Sequence, residues 1–239
     1  MLNIRYSVFN LFQERTYAVW RDGGRCAIVD PGCGKPAEQQ ALEDLLTQEN
    51  LTPEAILLTH AHLDHILGVK TLQDRYGIPA WMHPADTAAL EYNKVMADRF
   101  FIRLPEAFDW QPVQDGQILD LAGMRFEVIS TPGHSPGSVC YYVRDEGILF
   151  TGDTLFAGSI GRTDFPYSEY DDEIRAILER LLPLDPATAV LPGHGPSSTI
   201  GAERTGNPFL EPFNEPEEDP DPELEPVIIQ GDSPIGVGE

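Results

Sequence analysis

One short stretch, THAHLDH, holds three of the six histidines of the chain and one aspartate. It follows the apolar run AILLT, which is typical of a buried strand, and it precedes a helical pattern. In an extended segment, residues two apart face the same side, so His60 and His62 can reach one ion. Asp64 and His65 open the helix and turn toward a neighbouring position. The spacing predicts a metal site, because these side chains are common metal ligands.

Three further candidate ligands stand in loops elsewhere in the chain. His134 lies in STPGHSPGS, Asp153 in FTGDTLF and His194 in VLPGHGP, and each follows an apolar run that predicts a strand. Loops at strand ends are where rigid scaffolds place functional groups. Together the candidates comprise five histidines and two aspartates. That set suits two adjacent divalent ions, with zinc expected first and iron or manganese as alternatives, and a carboxylate can bridge the two ions.

Two such ions make hydrolysis the expected chemistry. They lower the pKa of a shared water so that hydroxide exists near neutral pH, and they stabilise the oxyanion that forms when a carbonyl is attacked. We therefore expect hydrolysis of an activated acyl bond. The sixth histidine, His83 in WMHPAD, is expected to be structural. Cys33 in DPGCGKP is either a reactive thiol or, as we expect, a small residue in a turn.

Strand and helix patterns alternate along the part of the chain that must position these residues. Apolar runs predict strands at 25–30, 54–59, 126–130, 139–143, 147–151 and 188–193. Helical periodicity predicts helices at 36–49, 63–77 and 168–182. The short link before Gly147 predicts a hairpin, and Ser168 and Asp171 have capping-box spacing. The predicted fold class is α/β (α+β), with sheets that are not all parallel.

The composition changes near residue 210. Residues 211–239 hold ten acidic residues and no lysine or arginine, and proline alternates with acid, so we predict a mobile tail. Residues 1–210 form the predicted catalytic domain, in which 16 basic and 29 acidic residues give −13 of the total net charge of −23. An acidic body disfavours nucleic acid as a partner. No apolar run is long enough to cross a membrane, no signal peptide is recognisable and the three cysteines show no disulfide spacing, so we expect a cytoplasmic protein.

The motifs THAHLDH, PGHSPGS, GDTLF and PGHGP, in this order, resemble the metallo-β-lactamase superfamily over about residues 3–210. The resemblance implies a four-layer αβ/βα sandwich, with two packed sheets, helices outside and a dinuclear site at the sheet edges. The implied ligands are His60, His62 and His134 for one metal, Asp64, His65 and His194 for the second, and Asp153 as the bridge. Asp64 and Asp153 would be the catalytic residues, acting with a metal-bound hydroxide.

Two longer stretches, DTLFAGSIGRTDFP and PGHGPSSTIGAERTGNPFL, are similar to short bacterial glyoxalase II-like (hydroxyacylglutathione hydrolase-like) proteins. That resemblance implies a small-molecule thioester such as S-lactoylglutathione as substrate. The chain lacks the C-terminal helical domain with which longer members grip glutathione, and GRTDF stands where they have a GKFY-like stretch. Arg162 could meet a substrate carboxylate, or it could pair with Asp164 and brace the loop.

Two other functions stay open on the sequence. GRTDF is also similar to persulfide dioxygenases of the same fold, whose single Fe(II) would take His60, His134 and Asp153 here. A non-catalytic metal-binding or interaction protein would use the acidic tail as a partner-binding arm. Ser135, next to His134, could orient its loop or face the substrate.

Overall fold

Two six-stranded sheets form the centre of the protein in a computed structural model that describes residues 2–211. The first sheet contains, in spatial order, β1 (Asn3–Phe9), β2 (Glu14–Trp20), β3 (Arg25–Val29), β4 (Thr52–Leu57), β5 (Ala80–Met82) and β6 (Trp110–Pro112). The second contains β7 (Ile118–Leu121), β8 (Met124–Ser130), β9 (Val139–Val143), β10 (Ile148–Gly152), β13 (Ala189–Pro192) and β14 (Ser198–Thr199). Strands β11 (Leu155–Phe156) and β12 (Ser159–Ile160) pair separately. The tail predicted at 211–239 lies outside the described residues, apart from residue 211.

The helices of the described residues are α1 (Pro36–Gln48), α2 (Leu63–Ile66), α3 (Val69–Tyr76), α4 (Thr87–Phe100), α5 (Tyr170–Ala176) and α6 (Ile200–Gly206). A π-helical segment, Ile177–Leu181, continues α5. Within residues 2–211, no helix has both the length and the apolar character needed to cross a membrane. The predicted hairpin is confirmed, because β9 and β10 are antiparallel and Gly147 has a left-handed backbone with φ of 60°.

Two predicted helices differ from the observed ones. The helix predicted over 63–77 is broken between α2 and α3, because the Gly68 N–H bonds to the carbonyl of Pro31 and the carbonyl of Asp64 accepts from Asn10. The capping box predicted at Ser168 is wrong. The Ser168 hydroxyl instead donates to the backbone carbonyl of His134, and α5 begins at Tyr170.

Strand β3 shows how the sequence builds four layers. Ala27 and Val29 lie in the core between the two sheets, whereas Cys26 and Ile28 pack on the other face against α1 through Leu42. Side chains alternate between the two faces of a strand, and a strand covered on both faces has apolar residues throughout. The second sheet is covered in the same way by α5 and α6. The predicted αβ/βα sandwich is therefore confirmed.

Five strands end at one edge of the sandwich. Strands β3 and β4 are parallel neighbours, as are β10 and β13. Strand β8 runs in the same direction as β10, because both are antiparallel to β9. The segments that follow these strands carry Asp30, the stretch 59–65, His134, Asp153 and His194. Residues that are distant in sequence therefore meet at this edge.

The core between the sheets should tolerate truncation poorly. Phe150 is fully buried there, and its ring packs edge-on against Tyr17 at 5.3 Å. Phe150→Ala is expected to lower the free energy of unfolding by about 3–5 kcal/mol in urea denaturation, because it leaves a cavity. Ile118→Ala, at a residue that is 38% exposed, should cost less than about 1 kcal/mol. Equal losses in the two variants would contradict the assignment of this core.

Candidate metal centre

Three histidines form the first group of candidate ligands. His60, His62 and His134 are buried, and each offers a ring nitrogen to a common point. Nε2 of His134 lies 2.9 Å from Nδ1 of His62, and the ring centroids of His60 and His134 are 5.0 Å apart. Three convergent nitrogens at these separations suit one metal ion.

Asp64, His65 and His194 form the second group. Nε2 of His194 lies 3.2 Å from Oδ2 of Asp64 and 3.3 Å from Nε2 of His65. His65 is fully buried, whereas the other two side chains are partly exposed. This group is therefore the one nearer to solvent.

Asp153 lies between the two groups. Its Oδ1 is 3.4 Å from Nε2 of His65, and its Oδ2 is 3.6 Å from Nε2 of His134 and 3.4 Å from Nε2 of His194. The carboxylate therefore faces ligands of both groups at once. All seven residues that the sequence singled out lie together in the structure, although they come from four separate segments of the chain.

The electrostatics of the two groups differ. Burial lowers the pKa of His60 and of His62 well below the usual value, so both rings are neutral, which is the form that binds metals. Burial also opposes protonation of His194, but Asp153 and Asp64 together outweigh it and raise the pKa of His194 to about 10. Burial alone would raise the pKa of Asp153, but His194 and His65 hold it well below its usual range. The second group thus combines imidazole rings with carboxylates. Bound cations would balance the negative charge of these carboxylates.

The arrangement fits divalent metal ions on its own geometry. Nε2 of His60 and Oδ1 of Asp153 are buried without a hydrogen-bond partner among the described residues, and unpaired buried polar atoms are rare in native proteins. The backbone leaves room at the same point, because a Cβ added at Gly193 would lie 2.4 Å from Oδ1 of Asp153 and 2.6 Å from Cε1 of His65. Nitrogen and carboxylate donors in this set suit zinc or iron.

Comparison with known proteins identifies the family of the chain. Residues 10–194 match the metallo-beta-lactamase superfamily. The chain belongs to this superfamily. Hydroxyacylglutathione hydrolase GloC of Haemophilus influenzae is 37% identical over 212 residues, which cover 87% of this chain and 98% of GloC. Two solved structures are similar to this chain. BLEG-1 B3 metallo-beta-lactamase has a TM-score of 0.80 and 37% identity, and the match covers 87% of this chain and 99% of BLEG-1. TTHA1623 in a di-iron-bound form has a TM-score of 0.77 and 37% identity, and the match covers 86% of this chain and 99% of TTHA1623.

In each of the five candidate histidines, the ring nitrogen that points away from the centre also makes a hydrogen bond. The partners are Thr59 Oγ1 for His60 (3.1 Å), Tyr167 Oη for His62 (2.7 Å), Asp30 Oδ2 for His65 (3.0 Å), the Arg162 carbonyl for His134 (2.7 Å) and the Phe12 carbonyl for His194 (3.0 Å). Such outer hydrogen bonds fix the tautomer and the ring orientation of a metal ligand. The inward nitrogens are therefore oriented by the protein itself.

The sequence reasoning missed Asp30. This buried carboxylate accepts hydrogen bonds from the backbone N–H of Thr59 (2.8 Å), from Oγ1 of Thr59 (2.6 Å) and from Nδ1 of His65. Because Thr59 in turn contacts His60, Asp30 orients one histidine in each group. The one sign of this role in the sequence was the position of Asp30 at the end of the predicted strand 25–30, because other site residues also follow predicted strands.

Two buried carboxylates that hold the ligand loops were missed as well. Asp86 accepts from the backbone N–H groups of Ala61 and of Gly137 (3.0 Å for the latter), and so ties the first ligand segment to the loop after His134. Glu173 accepts from the N–H of His134 at 2.7 Å, and burial raises the pKa of Glu173 to about 8. Both residues fix backbone and do not face the ligand nitrogens.

Ser135 belongs to the loop framework. It stands in GHSPG, which has the letters of the serine-hydrolase pattern G-x-S-x-G. Its hydroxyl is buried and lies 2.7 Å from Oγ of Ser138, a contact within its own loop. His83 lies outside the two groups, where its Nδ1 accepts from the N–H of Ala85, and Cys33 is buried, which raises the pKa of its thiol. The structural role expected for both residues stays a prediction.

The guanidinium of Arg162 pairs with Asp164. Its Nε and Nη2 donate to the two carboxylate oxygens, each at 2.6 Å, and the guanidinium lies over the ring of Phe165 at 4.8 Å. The loop-bracing alternative therefore has a clear structural basis, while the backbone carbonyl of Arg162 orients His134.

Loss of the Asp30 charge should weaken metal binding. Asp30 has a left-handed backbone with φ of 48°, which asparagine also tolerates. Asp30→Asn keeps the size of the side chain but cannot accept all three hydrogen bonds. We expect about a 10- to 100-fold loss of zinc affinity in competition with a chelator. The exposed variant Asp120→Asn serves as control, and unchanged zinc affinity in Asp30→Asn would refute the orienting role.

Proposed function

We propose that this metallo-β-lactamase superfamily protein is a dinuclear hydrolase of small thioesters such as S-lactoylglutathione. The observation that carries the proposal is the position of Asp153 between two groups of three candidate ligands. Two adjacent sites joined by a carboxylate suit hydrolysis, because bound divalent ions supply an activated water and an electrophile for the acyl carbonyl. The 37% sequence identity to GloC, over nearly the whole length of GloC, supports a glutathione thioester as the substrate.

We assign the residues to roles within that proposal. His60, His62 and His134 are proposed to hold the first ion, with Asp64, His65 and His194 holding the second and Asp153 shared by both. Zinc is the proposed metal, and the di-iron form of TTHA1623 supports iron as the alternative. Asp64 and Asp153 are the proposed catalytic carboxylates, since their oxygens face the space between the groups. The three cysteines are unpaired, which agrees with the cytoplasmic location proposed from the sequence.

Asp153→Ala tests the shared carboxylate. The wild-type protein is expected to contain two metal ions per chain and to release thiol from S-lactoylglutathione. Asp153→Ala should lower the metal content below two and reduce kcat/KM by at least about a thousandfold, since loss of a charged group in a buried site leaves both groups incomplete. Asp145→Ala, at an exposed turn, is the control. Full activity and two bound ions in Asp153→Ala would refute the bridging role.

A persulfide dioxygenase is the second candidate function. It is compatible with the same fold and would need one Fe(II), held by His60, His134 and Asp153. The wild-type assay separates the two functions. One iron per chain, with oxygen consumed on addition of glutathione persulfide and no thiol released from a thioester, would replace the hydrolase proposal. The complete second group, Asp64, His65 and His194, favours the hydrolase, and the complete ligand set also weighs against a non-catalytic interaction protein.

The thiol carrier of the substrate is proposed to be anionic. Among the described residues, five cations form no ion pair with a carboxylate, namely Arg15, Lys94, Arg99, Arg103 and Arg204, although the protein as a whole is acidic. Three of them, Lys94, Arg99 and Arg103, lie on α4 or just after it. Arg99 comes seven residues after Tyr92 on α4, which is nearly two helical turns, so both lie on one side of the helix. Tyr92 contacts Phe165 and Tyr167 beside the first group. Arg99 therefore lies on the side of α4 that carries Tyr92.

We propose Arg99 and Arg162 as the two cations that meet a carboxylate of the carrier. The guanidinium of Arg162 must first leave Asp164, whereas Arg99 has no such competitor among the described residues. Arg99→Glu is expected to raise KM for S-lactoylglutathione about two- to fivefold, the scale of an exposed ion pair, and to leave KM for an uncharged thioester unchanged. Lys94→Glu makes the same charge change on the other flank of α4. Equal effects of the two variants would show a general charge effect and no specific contact.

A further inference from the structure

The hydroxyl of Tyr167 meets a candidate metal ligand directly. Its Oη lies 2.7 Å from Nε2 of His62. The other four candidate histidines are held by a carboxylate, by backbone carbonyls or by a hydroxyl that is itself bonded to a carboxylate. His62 alone depends on a phenol.

His62 also differs from the others in which nitrogen points inward. Its Nδ1 faces Nε2 of His134, whereas the remaining candidate histidines point Nε2 toward the centre. A ring that binds a cation through Nδ1 must carry its proton on Nε2. The Nε2–H of His62 then donates to the oxygen of Tyr167. Without that acceptor, the imidazole of His62 could turn over or change tautomer.

The position of Tyr167 is itself fixed by packing. Its ring stacks on Phe165 with centroids 5.7 Å apart and planes 10° from parallel, and Tyr92 packs edge-on against it at 5.7 Å. Phe165 in turn contacts the rings of His62 (4.7 Å) and His134 (5.8 Å). Tyr167 is therefore part of an aromatic wall beside the first group.

The segment that carries Tyr167 holds the second histidine of the pair as well. The Ser168 hydroxyl donates to the carbonyl of His134 at 2.6 Å, and the N–H of Glu169 donates to the carbonyl of Gly133 at 2.9 Å. The stretch 165–169 thus contacts both His62 and His134 by hydrogen bonds or rings. A displacement of this stretch would move the two ligands together.

We propose that Tyr167 is a positioning residue for the first metal ion, fixing His62 with Nδ1 directed at that ion. The inference rests on the proposed dinuclear centre and adds to it a residue outside the ligand set. It assigns no proton transfer to Tyr167. The proposal gives Tyr167, just after GRTDF, a role in metal binding that is separate from substrate recognition.

Tyr167→Phe tests the proposal because it removes the acceptor oxygen and keeps the ring stack. The metal-free protein is titrated with Co²⁺, and the visible absorption of bound cobalt reports each site without any substrate. We expect one of the two affinities to fall about 10- to 100-fold, as for other outer-shell partners of metal ligands, while the second stays within about twofold. Tyr92→Phe removes the neighbouring phenol, which has no hydrogen bond to a histidine, and should leave both affinities unchanged.

The outcomes separate this proposal from the one on which it rests. If wild type binds two cobalt ions and Tyr167→Phe binds both with wild-type affinity, the positioning role is overturned and the dinuclear centre stands. Equal weakening in Tyr167→Phe and Tyr92→Phe would also overturn it, because the His62 contact would not be the cause. If wild type binds fewer than two ions, the dinuclear centre fails, and this inference fails with it. Circular dichroism and urea denaturation confirm that each variant is folded before titration.

Discussion

The carboxylate of Asp30 joins the two halves of the candidate metal centre. It accepts a hydrogen bond from His65 of the second group and another from Thr59, whose hydroxyl contacts His60 of the first. A metal ligand must present an unprotonated nitrogen at a fixed place, and an outer acceptor secures both requirements. Strands β3 and β4 supply the geometry, because adjacent parallel strands bring residues 30 and 59 side by side at their ends.

The loops that carry the remote ligands are held from outside in a similar way. Asp86 and Glu173 are buried acidic residues whose side-chain oxygens accept hydrogen bonds from backbone N–H groups of the ligand segments. Burying a carboxylate is costly unless it is hydrogen-bonded, and here the bonds are made to the segments whose position matters. Ligands fixed before a cation binds lose less conformational freedom on binding. The polar interior of this edge is therefore a framework for the seven candidate ligands.

Helix α4 connects the centre to the surface. Tyr92 contacts the aromatic wall beside the first group, and Phe100 packs edge-on against Phe12 at 4.9 Å. The carbonyl of Phe12 holds His194 of the second group. The helix therefore flanks both groups, and its unpaired cations lie on an otherwise acidic protein. Superfamily membership defines the fold, whereas a contact of this helix with substrate is part of the proposed function.

The sequence by itself determined the candidate ligand set and most of the central strands. THAHLDH and the loops around His134, Asp153 and His194 are local patterns, and long apolar runs mark strands that are buried on both faces. The order of the motifs was enough to identify the fold, and the predicted division at residue 210 remains a prediction. Strands β1 and β2, helix α4 and short strands such as β5, β6 and β14 were not predicted, because they are stabilised by packing against neighbours and have weak local patterns.

Only the tertiary structure decided what orients the ligands. Asp30 is 35 residues from His65, and Tyr167 is 105 residues from His62, so no local window contains either pair. The break at Gly68 and the late start of α5 have the same origin. In each case a donor that the sequence pattern places in the helix or its cap, the Gly68 N–H or the Ser168 hydroxyl, bonds instead to a carbonyl that is remote in sequence. Ligand identity is a property of short segments, whereas ligand orientation depends on hydrogen bonds between segments. For that reason the sequence specified the candidate ligands, and the fold specified how the histidines among them are held.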